Sequence, residues 1–122
     1  DIGAVTSFVG LVRGDEGSAM TLEHYPGMTE RQLAAIETEA RNRWPVDDVL
    51  VIHRYGRLTP GDRIVLVAVT SSHRAAAFAA CEFLIDWLKT RAPFWKLEDG
   101  PDGQHWVEAK DDDENRAERW QT

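Results

Sequence analysis

The chain has 122 residues, a hydrophobic fraction of 43% and a formal net charge of −7. This length fits one domain with a modest core, and the negative charge disfavours general nucleic-acid binding. No apolar run reaches the roughly 20 residues of a membrane span, and the one cysteine, Cys81, excludes an internal disulfide. The chain opens at Asp1 within a predicted strand, so we expect the native sequence to begin earlier.

The first half of the chain is predicted to form two strands and a helix. Gly3–Arg13 is rich in valine with small residues between, which is typical of a strand. The polar loop Gly14–Ala19 separates it from a second strand, Met20–Tyr25. Thr29 is the predicted N-cap of a helix with apolar residues at helical spacing, which Pro45 ends.

The second half begins with another strand pair and a longer helix. Val49–Ile52 and Arg63–Val69 are β-branched runs on either side of a turn at Thr59–Asp62, and they predict an antiparallel pair. Ser71 is the predicted start of the second helix, which Pro93 stops.

Two short strands and a charged tail complete the chain. The strands are Phe94–Leu97 and His105–Val107, joined by the turn-rich loop Asp99–Gly103. The order β-β-α-β-β-α-β-β predicts an α+β domain over residues 1–110, with a mainly antiparallel sheet and two main helices. The tail, 111–122, is predicted to be a frayed helix or disordered.

Five cationic side chains are candidates for binding an anion: Arg13, His73, Arg74, Lys89 and Lys96. Each also has an ordinary explanation as a solvated charge or a helix-end residue. Arg74 opposes the positive end of the helix dipole, a placement that makes sense if an anion binds there.

The remaining candidates are weaker. His24, His53 and His105 show no metal-ligand spacing, so we predict packing or surface roles for them, and neither a metal site nor a cofactor. Cys81 in the middle of a helix is predicted to be a small core residue.

Five segments, in order along the chain, carry a family resemblance. They are TLEHYPGMTE (Thr21–Glu30), ARNRWP (Ala40–Pro45), VIHRYGRLTPGD (Val51–Asp62), TSSHRAAAF (Thr70–Phe78) and IDWLKTRAPFWK (Ile85–Lys96). Together they resemble the large, catalytic subunits of molybdopterin synthase, the MoaE family, over residues 3–109. The resemblance implies an α/β hammerhead fold, sulfurtransferase activity and a cytoplasmic location.

In that family, a small ubiquitin-like partner ends in Gly-Gly and carries a C-terminal thiocarboxylate. Its tail threads into the large subunit and gives sulfur to cyclic pyranopterin monophosphate, which becomes the dithiolene of molybdopterin. The resemblance therefore implies this partner and this substrate, within a heterotetramer of two large and two small subunits.

The resemblance also implies site residues. Lys89 and Lys96 match the catalytic lysines, and Phe8 and Ile85 match the channel for the partner's tail. The implied substrate-binding residues are Leu11, Val12, Arg13, His73, Arg74, Lys89, Lys96, Leu97 and Glu98. Family members often carry a basic residue where this chain has Leu11, so we expect any substrate contact there to be through the backbone.

Two anions, a phosphate and a thiocarboxylate, must meet in this reaction, which is costly unless cations neutralise them. We therefore predict Lys89 as the general acid or base and Lys96 as its electrostatic partner. His73 lies 16 residues before Lys89 on one helix, so the two are separated by about 24 Å and lie on nearly opposite faces. If both serve one site, a second copy must supply one of them, which predicts a homodimer with composite sites.

Two other functions are compatible with the sequence. A non-catalytic docking module for a ubiquitin-like sulfur carrier would need the tail channel but neither lysine. A small anion- or nucleotide-binding regulator would bind a different phosphate compound. The five cations together favour the enzyme.

Overall fold

A computed structural model describes residues 1–91, 94–100, 103–107 and 111–121. Its elements are β1 (Ala4–Leu11), β2 (Ala19–His24), α1 (Met28–Arg43), β3 (Val46–His53), β4 (Gly56–Leu58), β5 (Arg63–Ser71), α2 (Arg74–Thr90), β6 (Phe94–Gly100), β7 (Gly103–Val107) and α3 (Asp111–Glu118). Within these ranges, none of the helices is long and apolar enough to span a membrane.

The first layer is a three-stranded antiparallel sheet in the order β1-β5-β3, covered on one face by α2. Alternate residues of β5 are buried against the helix: Val65, Val67, Val69 and Ser71. The helix meets them with small side chains, Ala77 and Ala80, and with Leu84. The main core is therefore formed by the alternate buried residues of β5 and by the helix face, rich in small residues, that packs on them.

The second layer is an antiparallel sheet in the order β4-β2-β6-β7. A smaller core cluster joins it to the end of the first sheet. Its buried members are Val12, Met20, Leu22 and Leu58, with Ile64 and Phe94 packed against them. Since Val12 follows β1 and Ile64 lies in β5, this cluster fixes the two sheets to each other, and we call it the sheet junction.

The predicted α+β class, with mainly antiparallel strands, is confirmed, and so is the pairing of β3 with β5. The sequence did not predict β4, a three-residue strand on the edge of the second sheet. The predicted loop Asp99–Gly103 is wrong at its ends, because the β6–β7 ladder continues to the pair Gly100 and Gly103. Residues 101 and 102 lie outside the described ranges.

The predicted N-cap at Thr29 is wrong. The helix α1 begins two residues earlier, with Gly27 as N-cap at a φ of 82°, a backbone conformation that favours glycine. The Glu30 carboxylate accepts a hydrogen bond from the Gly27 amide. Thr29 is buried inside the first turn, where its hydroxyl accepts a hydrogen bond from the Tyr25 amide at 2.9 Å.

The predicted start of the second helix at Ser71 is also wrong. Ser71 is the last residue of β5, and its hydroxyl donates to the Pro45 carbonyl at 2.8 Å. The helix α2 instead begins at Arg74, with His73 as its N-cap residue. It ends at Thr90; the predicted stop at Pro93 lies outside the described residues.

The charged tail forms a helix that packs on α2, so the helical alternative is confirmed and disorder is wrong for residues 111–121. The buried carboxylate of Asp86 accepts hydrogen bonds from the Trp120 indole at 2.7 Å and from Arg119 at 3.0 Å. The Trp120 ring packs edge-on against Trp44 and Phe83. Apolar packing around one buried carboxylate therefore holds α3 in place.

We predict that Asp86→Ala lowers the free energy of unfolding by about 1–3 kcal/mol, because it leaves the Trp120 indole N–H without its acceptor. Urea unfolding measures the loss. Asp47→Ala, which removes an exposed carboxylate from β3, is the matched control and should change the unfolding free energy by less than about 0.5 kcal/mol. Equal effects from the two substitutions would contradict the role of Asp86.

Candidate active site

The end of β1 places Arg13 beside the sheet junction. A β-bulge before Leu11 turns the strand out of register, and Leu11 is 56% exposed. Val12 is buried, its amide donates to the Asp62 carbonyl, and its carbonyl accepts from the Gly61 amide, both at 2.9 Å. Both backbone polar groups of Val12 thus have intrachain hydrogen-bond partners. These bonds fix the backbone at the point from which the exposed Arg13 side chain projects.

Lys89 lies at the same end of the first layer. The strand β5 runs away from this end, beginning at Arg63, and α2 returns over it, so the last turn of the helix comes back to the sheet junction. Lys89 is exposed in that last turn. Its positive charge is the smallest of the causes that act on the pKa of His53, which it lowers.

His53 ends β3 and packs into the sheet junction. Its ring stacks on Phe94, with centroids 4.0 Å apart and planes 20° apart, and its Nδ1 lies 2.8 Å from the Arg54 carbonyl oxygen. Burial is the main cause that lowers its pKa below the ordinary 6.5; the Arg54 carbonyl opposes the shift and Lys89 adds to it. Of the predicted packing or surface roles, packing is confirmed by the stack on Phe94.

Lys96 approaches the junction from the second sheet. On β6, Phe94, Lys96 and Glu98 alternate onto one face, and Lys96 lies opposite the buried Leu22 of β2. The Lys96 ammonium is 4.0 Å from a Glu98 carboxylate oxygen. Leu97 belongs to the other face of the strand. Lys89 and Lys96 therefore reach the same junction from two different layers.

The predicted channel residues line one flank of α2. Phe8 lies opposite Val67 in the sheet, on the face that α2 covers, and both Phe8 and Ile85 pack against the main core. Phe78, Ile85 and Lys89 are spaced by seven and four residues, so they form one stripe along the helix. Phe78 is 62% exposed. It was not among the predicted site residues, although its helical spacing to Ile85 can be seen in the sequence. The stripe leads along the helix to Lys89.

His73 and Arg74 lie at the opposite end of the first layer. They are exposed at the start of α2, just beyond the last residue of β5. The nine residues of β5 separate this end from the sheet junction by about 26 Å. One chain thus brings Arg13, Lys89 and Lys96 to the junction and leaves His73 and Arg74 remote.

A cavity of about 320 Å³ lies under α3, lined by Phe83, Trp87 and Trp120 among others. None of the predicted site residues lines it. The candidate site is therefore the surface at the sheet junction in the single chain, rather than this pocket.

Cys81 lies in the main core, 2% exposed, as predicted for a core residue. Burial raises the pKa of its thiol to about 11, with a smaller contribution from the charge of Glu82. A thiol that is both buried and protonated is a poor nucleophile. It is also the chain's only cysteine, so the folded chain offers no reactive thiol.

Comparison with known proteins identifies similar chains. Residues 1–91 match the family model described as MoaE protein. The chain is 60% identical to the molybdopterin synthase catalytic subunit of Escherichia coli (strain K12), covering 97% of this chain and 81% of the relative.

Solved structures are similar as well. A molybdopterin biosynthesis MoaE protein from Burkholderia ambifaria superposes with a TM-score of 0.84 at 56% identity, covering 99% of this chain and 82% of that one. A molybdopterin synthase structure from Staphylococcus aureus has a TM-score of 0.79 at 38% identity, covering 87% and 80% of the two chains.

We predict that the native thiol of Cys81 resists modification. With a pKa of about 11, roughly one thiol in a thousand is ionised at pH 8. Reaction with an aromatic disulfide reagent should be at least about 100-fold slower in the folded chain than in urea. Equal rates in the two conditions would contradict the buried, protonated state.

Proposed function

This chain belongs to the MoaE family and is a molybdopterin synthase catalytic subunit, and from that premise we propose how its residues transfer sulfur to the pterin. The substrate is cyclic pyranopterin monophosphate, and the donor is a small ubiquitin-like partner with a C-terminal Gly-Gly thiocarboxylate. The observation that carries the proposal is the topology around the two lysines. The helix α2 ends, with Lys89 in its last turn, at the end of the first layer where β6 carries Lys96 onto the sheet junction, and the Phe78–Ile85 stripe leads to that end.

The partner's tail lies along the flank of α2. Phe8, Phe78 and Ile85 offer it an apolar surface, and Lys89 lies where the surface ends. An extended tail bound along this stripe brings its terminal thiocarboxylate to the Lys89 ammonium. Contact with apolar side chains positions the tail, and the lysine neutralises its charge.

The substrate phosphate binds to the guanidinium groups of arginine residues and to the cations near them. Arg13 projects at the junction, and guanidinium groups bind phosphate in a bidentate manner. His73 and Arg74 of a second copy of the chain add cations from the exposed start of α2, where backbone amides also attract anions. Lys96, held close to Glu98, contributes charge from the second sheet.

The chemistry follows in two steps for each sulfur. The thiocarboxylate sulfur attacks an oxygen-bearing carbon of the pterin side chain: a carbon–sulfur bond forms, the carbon–oxygen bond breaks and the oxygen leaves with a proton. The pterin is then linked to the partner through an acyl–sulfur bond. Water then cleaves that acyl–sulfur bond, releasing the tail as a carboxylate and leaving the sulfur on the pterin. Lys89 transfers the protons, and a second loaded donor repeats the sequence to complete the dithiolene.

The state of Cys81 supports direct transfer from the partner. Passing sulfur through this chain would require an accessible thiolate, and the only thiol is buried with a raised pKa. The sulfur therefore stays on the partner's tail until it reaches the pterin. A buried free thiol is also compatible with the reducing cytoplasm, where we place the enzyme.

A second copy of the chain completes the site. The face of the first sheet that α2 leaves open carries exposed Val5, Val9, Leu50 and Ile52. A two-fold axis across these strands packs the open faces together and reverses their direction. The His73 end of one copy then meets the Lys89 end of the other. Two such sites, each with one small partner, give the heterotetramer.

A docking module without chemistry fits these observations less well. Such a module needs the apolar stripe, but it has no use for two lysines brought together from separate layers. The relatives with this sequence pattern are also named as catalytic subunits.

We predict that Lys89→Ala lowers the rate of dithiolene formation by at least about 100-fold, since it removes the proton-transferring group. The assay uses the pterin precursor and a preloaded, thiocarboxylated partner. Lys89→Arg should retain partner binding but not transfer, because arginine keeps its proton. Arg31→Ala, on the exposed side of α1, is the control. Near-normal transfer by Lys89→Ala would refute its role.

We predict that mixing Lys89→Ala and His73→Ala chains restores activity that neither has alone. In a symmetric dimer with composite sites, each mixed dimer has one site with both native residues, so random exchange should recover about a quarter of the wild-type activity. The measurement is dithiolene formation after co-expression of the two variants. Activity no higher than that of the single variants would count against shared sites.

A further inference from the structure

Glu82 is a charged residue in the middle of the apolar stripe of α2. It lies four residues after Phe78, three before Ile85 and seven before Lys89, so the four side chains project from one side of the helix. The Glu82 side chain is 46% exposed. The proposed path of the partner's tail therefore passes a carboxylate to which the sulfur-transfer mechanism gives no role.

Two arginines of α3 hold this carboxylate. The Arg116 guanidinium lies 3.5 Å from Glu82 Oε1, and the Arg119 guanidinium forms an ion pair with the same oxygen. Arg119 also donates to the buried Asp86 at 3.0 Å, which anchors it on α2. Among the residues that the structure describes, no donor contacts Glu82 Oε2. The carboxylate is thus held through one oxygen, and the other is available as an acceptor.

The helix α3 borders the stripe on one flank. At 3.6 residues per turn, Ile85, Glu82 and Asp86 follow one another around the axis of α2 in steps of about 60° and 40°. Because α3 packs on α2 at Asp86, it lies on the flank of the stripe away from Ile85. The arginines of α3 therefore reach the proposed tail channel from its side.

An extended tail in this channel needs hydrogen-bond partners for its main chain. Amide groups that leave water for an apolar surface cost free energy unless they are paired. Phe78 and Ile85 offer no partner, and the backbone of α2 is used in its own helical hydrogen bonds. Glu82 Oε2 lies between these side chains on the stripe, and a hydrogen bond to a charged oxygen is stronger than one to a neutral oxygen.

We propose that Glu82, held by Arg116 and Arg119, is a partner-binding residue: its Oε2 accepts a hydrogen bond from a main-chain amide of the partner's tail. The inference rests on the proposed course of the tail to Lys89. Seven helical residues span about 10 Å, a length that an extended peptide covers in about three residues. The bonded amide therefore lies at or just before the terminal Gly-Gly.

The arginines explain how a carboxylate can lie on the path of an anion. Glu82 and Asp86 carry two negative charges, and Arg116 and Arg119 carry two positive charges in contact with them. The cluster has no net charge, and the thiocarboxylate at Lys89 lies farther from it than the screening length of about 8 Å at physiological ionic strength. The tail is therefore bound by a hydrogen bond without electrostatic repulsion of its end.

The test measures partner binding and turnover in the dithiolene assay. Glu82→Ala removes the acceptor, so Kd and KM for the partner should rise about 10- to 30-fold, while kcat at saturating partner stays within about twofold of the wild type. Glu82→Gln keeps an acceptor oxygen and should recover part of the affinity. Glu39→Ala is the matched control, because Glu39 is also 46% exposed and is paired with Arg43 at 2.8 Å on α1, apart from the stripe.

A change in the partner's main chain separates a tail contact from an effect on α3. Partners made by chemical ligation carry an ester in place of one amide at a time near the C-terminus, which removes one N–H donor in each. One of these esters should weaken binding to the wild type about 10-fold and cost little in Glu82→Ala, since the two changes remove the same bond. Esters that each cost the same in both chains would overturn the proposal.

Two further outcomes separate this inference from the function on which it rests. A Glu82→Ala chain with wild-type Kd and KM for the partner would overturn the proposal even if its free energy of unfolding fell, because Glu82 would then serve only to hold α3. A wild type that bound the partner but failed to convert the pterin would instead refute the proposed function, and the comparison of Kd values would still decide the role of Glu82.

Discussion

The packing of α2 along β5 is the constraint on which the rest of the structure depends. The strand buries every second side chain against the helix, and Ala77 and Ala80 let the two backbones approach closely. A helix held along its length in this way cannot bend to bring its ends together. His73 and Lys89 are therefore fixed at opposite ends of the layer, and a site that uses both has to be built by two copies.

The sheet junction is the second constraint, because it determines which part of the second sheet lies at the end of the first layer where α2 ends. The buried cluster around Leu22 and Leu58 clamps the second sheet against the end of the first. β6 thereby presents Phe94 to His53, and Lys96 follows on the same face. The position of Lys96 relative to the end of α2 thus depends on packing in a different part of the chain, the antiparallel pair of β2 and β4.

Local patterns predicted the elements better than their ends. The buried face of each element leaves a pattern in the sequence: valines alternate along β5, and Ile36 and Ala40 have helical spacing in α1. The fold class and the pairing of β3 with β5 could therefore be predicted. The predicted start of α2 was wrong because the Ser71 hydroxyl has a tertiary partner: it donates to the Pro45 carbonyl, 26 residues away, instead of capping the helix. No short-range pattern contains that contact.

The site residues also divide into those that could be predicted from the sequence and those that only the fold reveals. Lys89 and Lys96 were predicted from the family resemblance, whereas His53 was predicted to have a packing or surface role from its lack of metal-ligand spacing. Its stack on Phe94 joins residues 41 positions apart, which only the folded chain reveals. Phe78 could have been predicted from its helical spacing to Ile85. The β1 side of the channel could not, because it depends on the register of Phe8 with Val67.

Charge segregation explains how a protein with a net charge of −7 can bind two anions. Several carboxylates outside the junction are paired with arginines, among them Glu39 with Arg43 on α1 and Glu114 of α3 with Arg91. At physiological ionic strength, exposed charges are screened beyond about 8 Å, so an anion at the junction responds to the cations around it more than to the whole molecule. The net negative charge is therefore compatible with the proposed site, because the cations Arg13, Lys89 and Lys96 dominate the local field at that end of the chain.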